Sequence, residues 1–272
     1  MSHEWRVFPE QTHILFQPIW VHEYTEQLLF GGAPKVVFAS STMVPNTLSL
    51  LGVEDMDFFS YPSLFPVERR PIYYYPTVKM RYGMSEEEDK EWVNVVDNFI
   101  ASRLDRRGII HTVSYARQNT LLKHSRFASL MVASSPSRVQ GSGTSSANMT
   151  LSRFRASPEP SVLIGPNWST GIDLAYKGAQ YTIIPKVPFP DINDPLLIAR
   201  AEDHPDFSWY HAGLTFTQAI GRAMRAEDDL NETLVTDAAF GRFMSSYRGM
   251  IPDWVWAAVR LVPTLPEPLE AL

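Results

Sequence analysis

The 272 residues contain no cysteine. Disulfides, thiolate zinc sites, iron–sulfur clusters and cysteine nucleophiles are therefore excluded within this chain. Positive charge is also scarce: 24 Lys and Arg face 30 Asp and Glu, giving a net charge of −6. That argues against holding nucleic acid through bulk charge, and leaves open a local basic groove. No apolar run approaches the ~18–20 residues that span a bilayer. The opening "MSHEWRVFPEQTH" has no basic stretch followed by an apolar one. The expectation is a soluble, cytoplasmic protein without a membrane partner. The seven histidines lack the H-x-x-x-H spacing of a zinc peptidase. Ser169 sits in no G-x-S-x-G elbow, so a hydrolase triad has no support. No residue set reads as a metal site.

What is present is a core. Hydrophobic residues make up 44% of the chain, enough for one large domain or two small ones. Strand-like and helix-like stretches alternate. "HILFQPI" (13–19) reads as a strand and "VHEYTEQLLF" after it as a helix. "KVVFAS" (35–40) is apolar on both faces, as a buried parallel strand is. "PIYYYP", "RGIIHTV", "ASLMVA", "SVLIG" and "QYTIIP" are further strands. "SEEE" from Ser85 is a capping box that starts a helix, with Trp92, Val96 and Phe99 at helical spacing. "SYARQNTLLKHS" and "GSGTSSANMTLSRFR" are helices, and "ETLVTDAAF" runs from strand into helix. The last twelve residues hold three prolines and read as a loose tail over 263–272. Alternation of this kind predicts an α/β fold with a mostly parallel sheet, whose ligands sit beyond the carboxyl ends of the strands.

The segment "FTQAIGRAMRAEDD" (216–229) carries a distinctive pattern. Taken as helix over 216–225, it places Gln218, Gly221, Arg222 and Arg225 within a sector of roughly 100°. Phe216, Ala219, Ile220, Ala223 and Met224 fill the buried side. A glycine inside a helix costs about 1 kcal/mol relative to alanine, which implies a close approach to its backbone. Two guanidiniums beside bare backbone suit a polyphosphate. From spacing alone, arginines that merely complement the negative end of the helix are the favoured reading.

Those residues carry a resemblance. "QAIGRAMR" resembles motif VI of superfamily-two helicases, and "NWSTGIDL" (167–174) resembles motif V of the XPD/DinG group. "ASSTM" (39–43) is similar to motif III, and "GIIHTVSYA" (108–116) to motif IV. "LFPVERRPIYYYP", "VPFPD" (187–191) and the Asp237-x-x-Phe240 pair stand where that group has them. The motifs run in the family order over residues 10–260, so the likeness is to the second motor half of an XPD/DinG-type helicase. It implies a RecA-like parallel sheet flanked by helices, spanning 46–262. Residues 1–45 would bridge to or complete the first lobe.

The resemblance implies roles as well. Arg222 and Arg225 would reach the γ-phosphate of ATP. Gln218, Gly171 and Asp173 would line or sense the nucleotide. Ser40 and Thr42 would couple hydrolysis to strand movement. Ser114, Tyr115, Asn167 and Ser169 would lie near single-stranded DNA. Thr170 departs from the glutamate usual in motif V, and Ser41 from the usual alanine. The first motor lobe is not in this sequence. There is no G-x-x-x-x-G-K-[ST] and no Asp-Glu-x-His, and "GSGTSS" (141–146) has no lysine. ATP, magnesium and a first lobe bearing both motifs, on a separate chain, are the implied cofactors and partner, and DNA repair or replication is the implied setting. The alternative is a non-catalytic RecA-like binding module. Trp168 reads as packing beneath its loop, and "AEDH" (201–204) and "AEDD" (226–229) as solvated turns. "RRPIYYYPTVKMR" (69–81) reads either as a single-strand platform or as a strand with one buried face.

Overall fold

A computed structural model describes residues 5–9, 12–134, 143–169, 172–174, 178–226 and 228–270. The chain enters through a hairpin in which β1 (Trp5–Pro9) pairs antiparallel with β2 (Ile14–Pro18). A short helix, α1 (His22–Thr25), runs on into one π-helical stretch, Glu26–Phe30, and is closed by Gly31 in the left-handed region. After α2 (Pro45–Ser49) come β3 (Ile72–Tyr74), α3 (Glu86–Ala101), β4 (Arg107–His111), α4 (Tyr115–His124) and β5 (Met131–Ala133). Then follow α5 (Gly143–Ala156), β6 (Ser161–Gly165), β7 (Tyr181–Ile184), α6 (Pro195–Asp203) and α7 (Phe207–Ile220). The chain closes with β8 (Glu232–Val235), α8 (Gly241–Ser246), α9 (Asp253–Trp256) and β9 (Val259–Leu261).

Seven strands form one sheet in the order β5-β6-β4-β7-β8-β3-β9, with every pairing parallel. Alternation along each strand decides which helix it meets. Ile110, Ile164, Ile183 and Leu234 face α3 and α4, where Trp92, Val96, Phe99 and Leu121 are fully enclosed. Ile109 and Leu163 face the opposite way, onto Leu151 and Phe154 of α5. Ile72, Ile184 and Val235 meet Phe216 and Ile220 of α7. This is the α/β, RecA-like architecture expected from the sequence.

Local signals explain the best-formed elements. Ser85 Oγ accepts the Glu88 N–H at 3.2 Å, and Glu88 Oε2 accepts the Ser85 N–H at 2.8 Å. Ser114 caps α4 and Asp194 caps α6.

Two expectations need correction. "KVVFAS" is not a buried strand: residues 35–40 have no regular structure, and Val37 is 92% exposed. Its apolar pattern is that of a strand, and none of the described strands pairs with it. The tail is not loose either. Arg103 Nη2 donates to the Pro266 carbonyl at 3.2 Å, and Arg106 Nη1 to the Leu269 carbonyl at 2.8 Å. Two buried guanidiniums thus need the tail as acceptor, and Leu265 packs on the α3 core.

Candidate functional site: a cleft at the end of α7 and the carboxyl edge of the sheet

The helix behind the arginine pattern ends early. Its last residue is Ile220, and Gly221 is the C-cap with φ −81° and ψ 1°. Three hydrogen bonds divert the chain. The Arg222 carbonyl accepts the Leu174 N–H at 3.3 Å, and Asp229 Oδ2 accepts the N–H groups of Arg225 and Ala226, both at 2.7 Å. A helix face over 216–225 therefore does not describe these residues. No group of the described chain crowds Gly221: a Cβ there would make only ordinary contact, 3.5 Å from the Thr217 carbonyl oxygen. The same turn buries Asp229, so "AEDD" is only partly a solvated turn.

The side chains nonetheless converge. Arg222 Nε donates to the Ser169 carbonyl at 2.6 Å and Nη1 to the Ile172 carbonyl at 3.4 Å. Arg225 Nε stands 3.6 Å from Asp173 Oδ1, and both side chains are exposed. The segment resembling motif VI thus grips the loop resembling motif V. Burial, then the neighbouring Arg225, lowers the Arg222 pKa, and Asp173 opposes the shift. Thr170 and Gly171 lie outside the described residues.

Gln218, Arg222 and Arg225 line a cleft of about 1170 Å³. Residues 34–43 and 55–65 form a further wall of it, including Ser40 and Thr42, whose hydroxyls are 3.1 Å apart. That wall is tethered to the body. Trp254 Nε1 donates to the Ser41 carbonyl at 2.9 Å, and Arg70 bridges the carbonyls of Phe65 and Trp254, each at 2.9 Å. It carries exposed apolar side chains: Phe59, Tyr61 and Leu64 are open to solvent, Leu64 to 93%.

The other candidates gather elsewhere. β4 and β6 are neighbours, so Ser114 and Tyr115 reach the same carboxyl edge as Asn167 and Ser169. Ser114 Oγ is engaged as a cap, accepting the Arg117 N–H at 3.3 Å. Trp168 is 3% exposed and packs under its loop with Ile109, Val132 and Phe154, as expected. The tyrosines of "RRPIYYYPTVKMR" are not a platform: Tyr73 and Tyr74 are core residues, and the Tyr74 hydroxyl donates to the Ala238 carbonyl at 3.2 Å.

Sequence reasoning gave no role to several residues at this edge. The Asp237 carboxylate accepts N–H groups from Met80, Val187 and Ala239 at 3.2, 2.9 and 2.9 Å, pinning three loops. Burial raises its pKa against those donors. Lys186, half-buried at the end of β7, has its pKa lowered by burial and by Arg117. His111 at the end of β4 is fully enclosed, and burial with the nearby Arg222 pushes its pKa down to about 3. Asp237 stood out only as part of the Asp237-x-x-Phe240 pair, and Lys186 and His111 only by position, at or just past a strand's carboxyl end.

Two guanidiniums and a glutamine on one cleft suit a nucleotide polyphosphate. Among the described residues no group of three or more His, Cys, Asp or Glu could hold a metal ion, and no helix is long and apolar enough to cross a membrane. A comparison with curated proteins gave no match. The solved structure of an XPD helicase is similar in fold, with a TM-score of 0.62 and 19% identity over 95% of this chain and 48% of that one. An apo XPD structure gives a TM-score of 0.61 and 18% identity over 95% and 54%. The chain thus spans about half the length of the solved structures it matches. The family model for the helicase C-terminal domain matches residues 100–258, more than half of the sequence, and the chain belongs to that family.

Proposed function

We propose that this chain is the second motor lobe of an ATP-dependent DNA helicase. The observation that carries the reading is the cleft. Gln218, Arg222 and Arg225 line it together with Ser40 and Thr42, and the space is large enough for a nucleotide. In this reading Arg222 and Arg225 stabilise charge on the transferring phosphoryl group. Gln218, and Asp173 with Gly171, serve the nucleotide, and Ser40 with Thr42 couples the two lobes. Single-stranded DNA follows the carboxyl edge past Ser114, Tyr115, Asn167 and Ser169. A first lobe supplies the phosphate-binding loop and the magnesium ligands.

The exposed apolar wall supports the need for a first lobe. An apolar stretch such as 35–40, left without a sheet neighbour, is covered when another sheet edge or face packs on it. The simplest cover for this stretch is a lobe bearing a Walker A motif.

The test is reconstitution with such a lobe and measurement of DNA-stimulated ATP hydrolysis. Arg222→Ala and Arg225→Ala are each expected to lower the rate by about 10³, the range of arginine fingers, with single-strand affinity little changed. Normal hydrolysis by both variants refutes the motor reading and leaves a non-catalytic binding module in its place.

A further inference from the structure

A second cavity, of about 150 Å³, opens at the carboxyl edge between β4 and β7, which are neighbours in the sheet. Their onward connections leave in opposite directions. β4 leads through α4 to β5 at one margin of the sheet, and β7 leads through α6 and α7 to β8 on the other side. In open parallel sheets, ligands bind at such a reversal.

The lining divides into two kinds. Pro166, Ile184, Pro188, Phe189 and Pro190 make apolar walls. The Phe189 ring is held edge-on to Trp209, with centroids 4.7 Å apart, so this wall is rigid. Set into the walls are His111 from β4 and His211 from α7. His111 is 4% exposed and neither of its ring nitrogens has a partner, and Nδ1 of His211 is likewise buried without one. Buried polar atoms are nearly always satisfied, so three orphaned nitrogens around one cavity point to a partner that enters it. Val113, also on the lining, has φ 64°, the left-handed region that a β-branched residue avoids. Strain of that kind collects at ligand clamps.

The chemistry of the occupant follows. A histidine this buried, beside the Arg222 guanidinium, stays uncharged. Each neutral imidazole offers one donor and one acceptor and no net charge. A phosphate or carboxylate finds no cation on the lining. A flat, uncharged heterocycle with adjacent donors and acceptors fits both the apolar walls and the paired imidazoles. We infer that this cavity receives one nucleobase, turned out of a single strand on the carboxyl edge, with His111 and His211 engaging its hydrogen-bonding edge. The inference rests on the single-strand reading above. Ser169, whose carbonyl Arg222 holds, is part of the same lining.

The test uses the whole chain and fluorescence anisotropy with labelled twelve-nucleotide DNA, either base-bearing homopolymers or an abasic strand. The expected result is affinity about tenfold or more higher for at least one homopolymer than for the abasic strand, the scale of one seated base. Thr215→Leu fills the cavity from α7 and is expected to bring that homopolymer down to the abasic level, leaving abasic binding unchanged. Circular dichroism checks the fold. If the leucine disrupts it, His211→Phe keeps the ring shape and removes the nitrogens, and is expected to level the homopolymers. Ring-nitrogen NMR shifts of His111 are expected to move with the preferred homopolymer and not with the abasic strand. Equal binding of base-bearing and abasic strands by the wild-type chain overturns the pocket while the strand track stands. A base preference that survives in both variants overturns it as well, since the bases are then bound elsewhere. Failure to bind either strand overturns the single-strand reading and this inference with it.

Discussion

Replacing Glu232 with glutamine is expected to unfold the protein well below the wild-type temperature. Glu232 opens β8 with its side chain fully enclosed. Its Oε2 accepts from Arg103 Nη2 at 2.7 Å, and its Oε1 accepts from Arg103 Nε at 3.2 Å and Arg106 Nη1 at 3.4 Å. Arg103 is itself 0% exposed and lies 3.6 Å over the Phe99 ring. The amide keeps the volume but loses the charge, and turns an N–H toward a guanidinium that has only donors. Removing one partner from a buried ion pair costs about 3–5 kcal/mol. Asp105 keeps Arg106 paired at 2.8–2.9 Å, so the loss falls mainly on Arg103. At about 2–4 °C per kcal/mol for chains of this size, Tm is expected to drop by about 6–20 °C. Scanning calorimetry at neutral pH reads this directly. Arg103→Met combined with Glu232→Leu is expected to recover much of the loss, because apolar packing replaces buried pairs well. If the single amide variant melts within about 2 °C of wild type, the cluster is not the enclosed ion pair described here.

Two further outcomes follow from the same reasoning. His111 is held neutral, with a pKa pushed down to about 3 in the folded chain, so its contribution to stability is complete above the unfolded value of about 6.5 and is lost as pH falls from there. Between pH 6.5 and 5 the loss from His111 is about 2 kcal/mol; His211, whose pKa burial also lowers, adds to it with the same sign. Urea titrations across that range should show a shallower pH dependence for His111→Gln than for wild type. Truncation after Val262 removes the Pro266 and Leu269 carbonyls that accept from Arg103 and Arg106, and is expected to cost about 3 kcal/mol or more by calorimetry, on the scale of hydrogen bonds to charged groups; a truncated chain with unchanged Tm contradicts the docked tail.

Where periodicity and capping agree, the fold was legible. α3 begins where Ser85 and Glu88 said it would, and "SVLIG" and "QYTIIP" are enclosed on both faces as parallel strands are. The sequence misled where the deciding partner is distant. "KVVFAS" has strand composition, and a strand forms only beside another strand. Ile220 to Arg225 has helical spacing, and the helix yields there to Leu174 and Asp229, which compete for the same backbone. The site divides in the same way. The family motifs led to Gln218, Arg222 and Arg225, which share the cleft with Ser40 and Thr42. Nothing local marked His111, because its peculiarity is the enclosure built around it by α7 and the loops after β6 and β7. The tail failed for a related reason: prolines forbid a helix there, but they do not prevent carbonyls from capping buried arginines.

The motor reading gives Arg222 two competing destinations. Its Nε holds the Ser169 carbonyl at 2.6 Å, and its guanidinium also borders the cleft. A hydrogen bond from a charged donor to a carbonyl is worth about 1.5–3 kcal/mol. A guanidinium–phosphate contact is charge-assisted on both sides and stronger. A nucleotide whose phosphates reach Arg222 therefore has the energy to draw it off Ser169, and departure of the nucleotide returns it. Ser169 lies on the lining of the second cavity, and His111 there feels the Arg222 charge. Movement of one side chain thus changes both the wall and the field of the surface where the strand is proposed to run. No long-range displacement of the sheet is required, because Arg222, which borders the cleft, is already bonded to the loop after β6 that lines the second cavity.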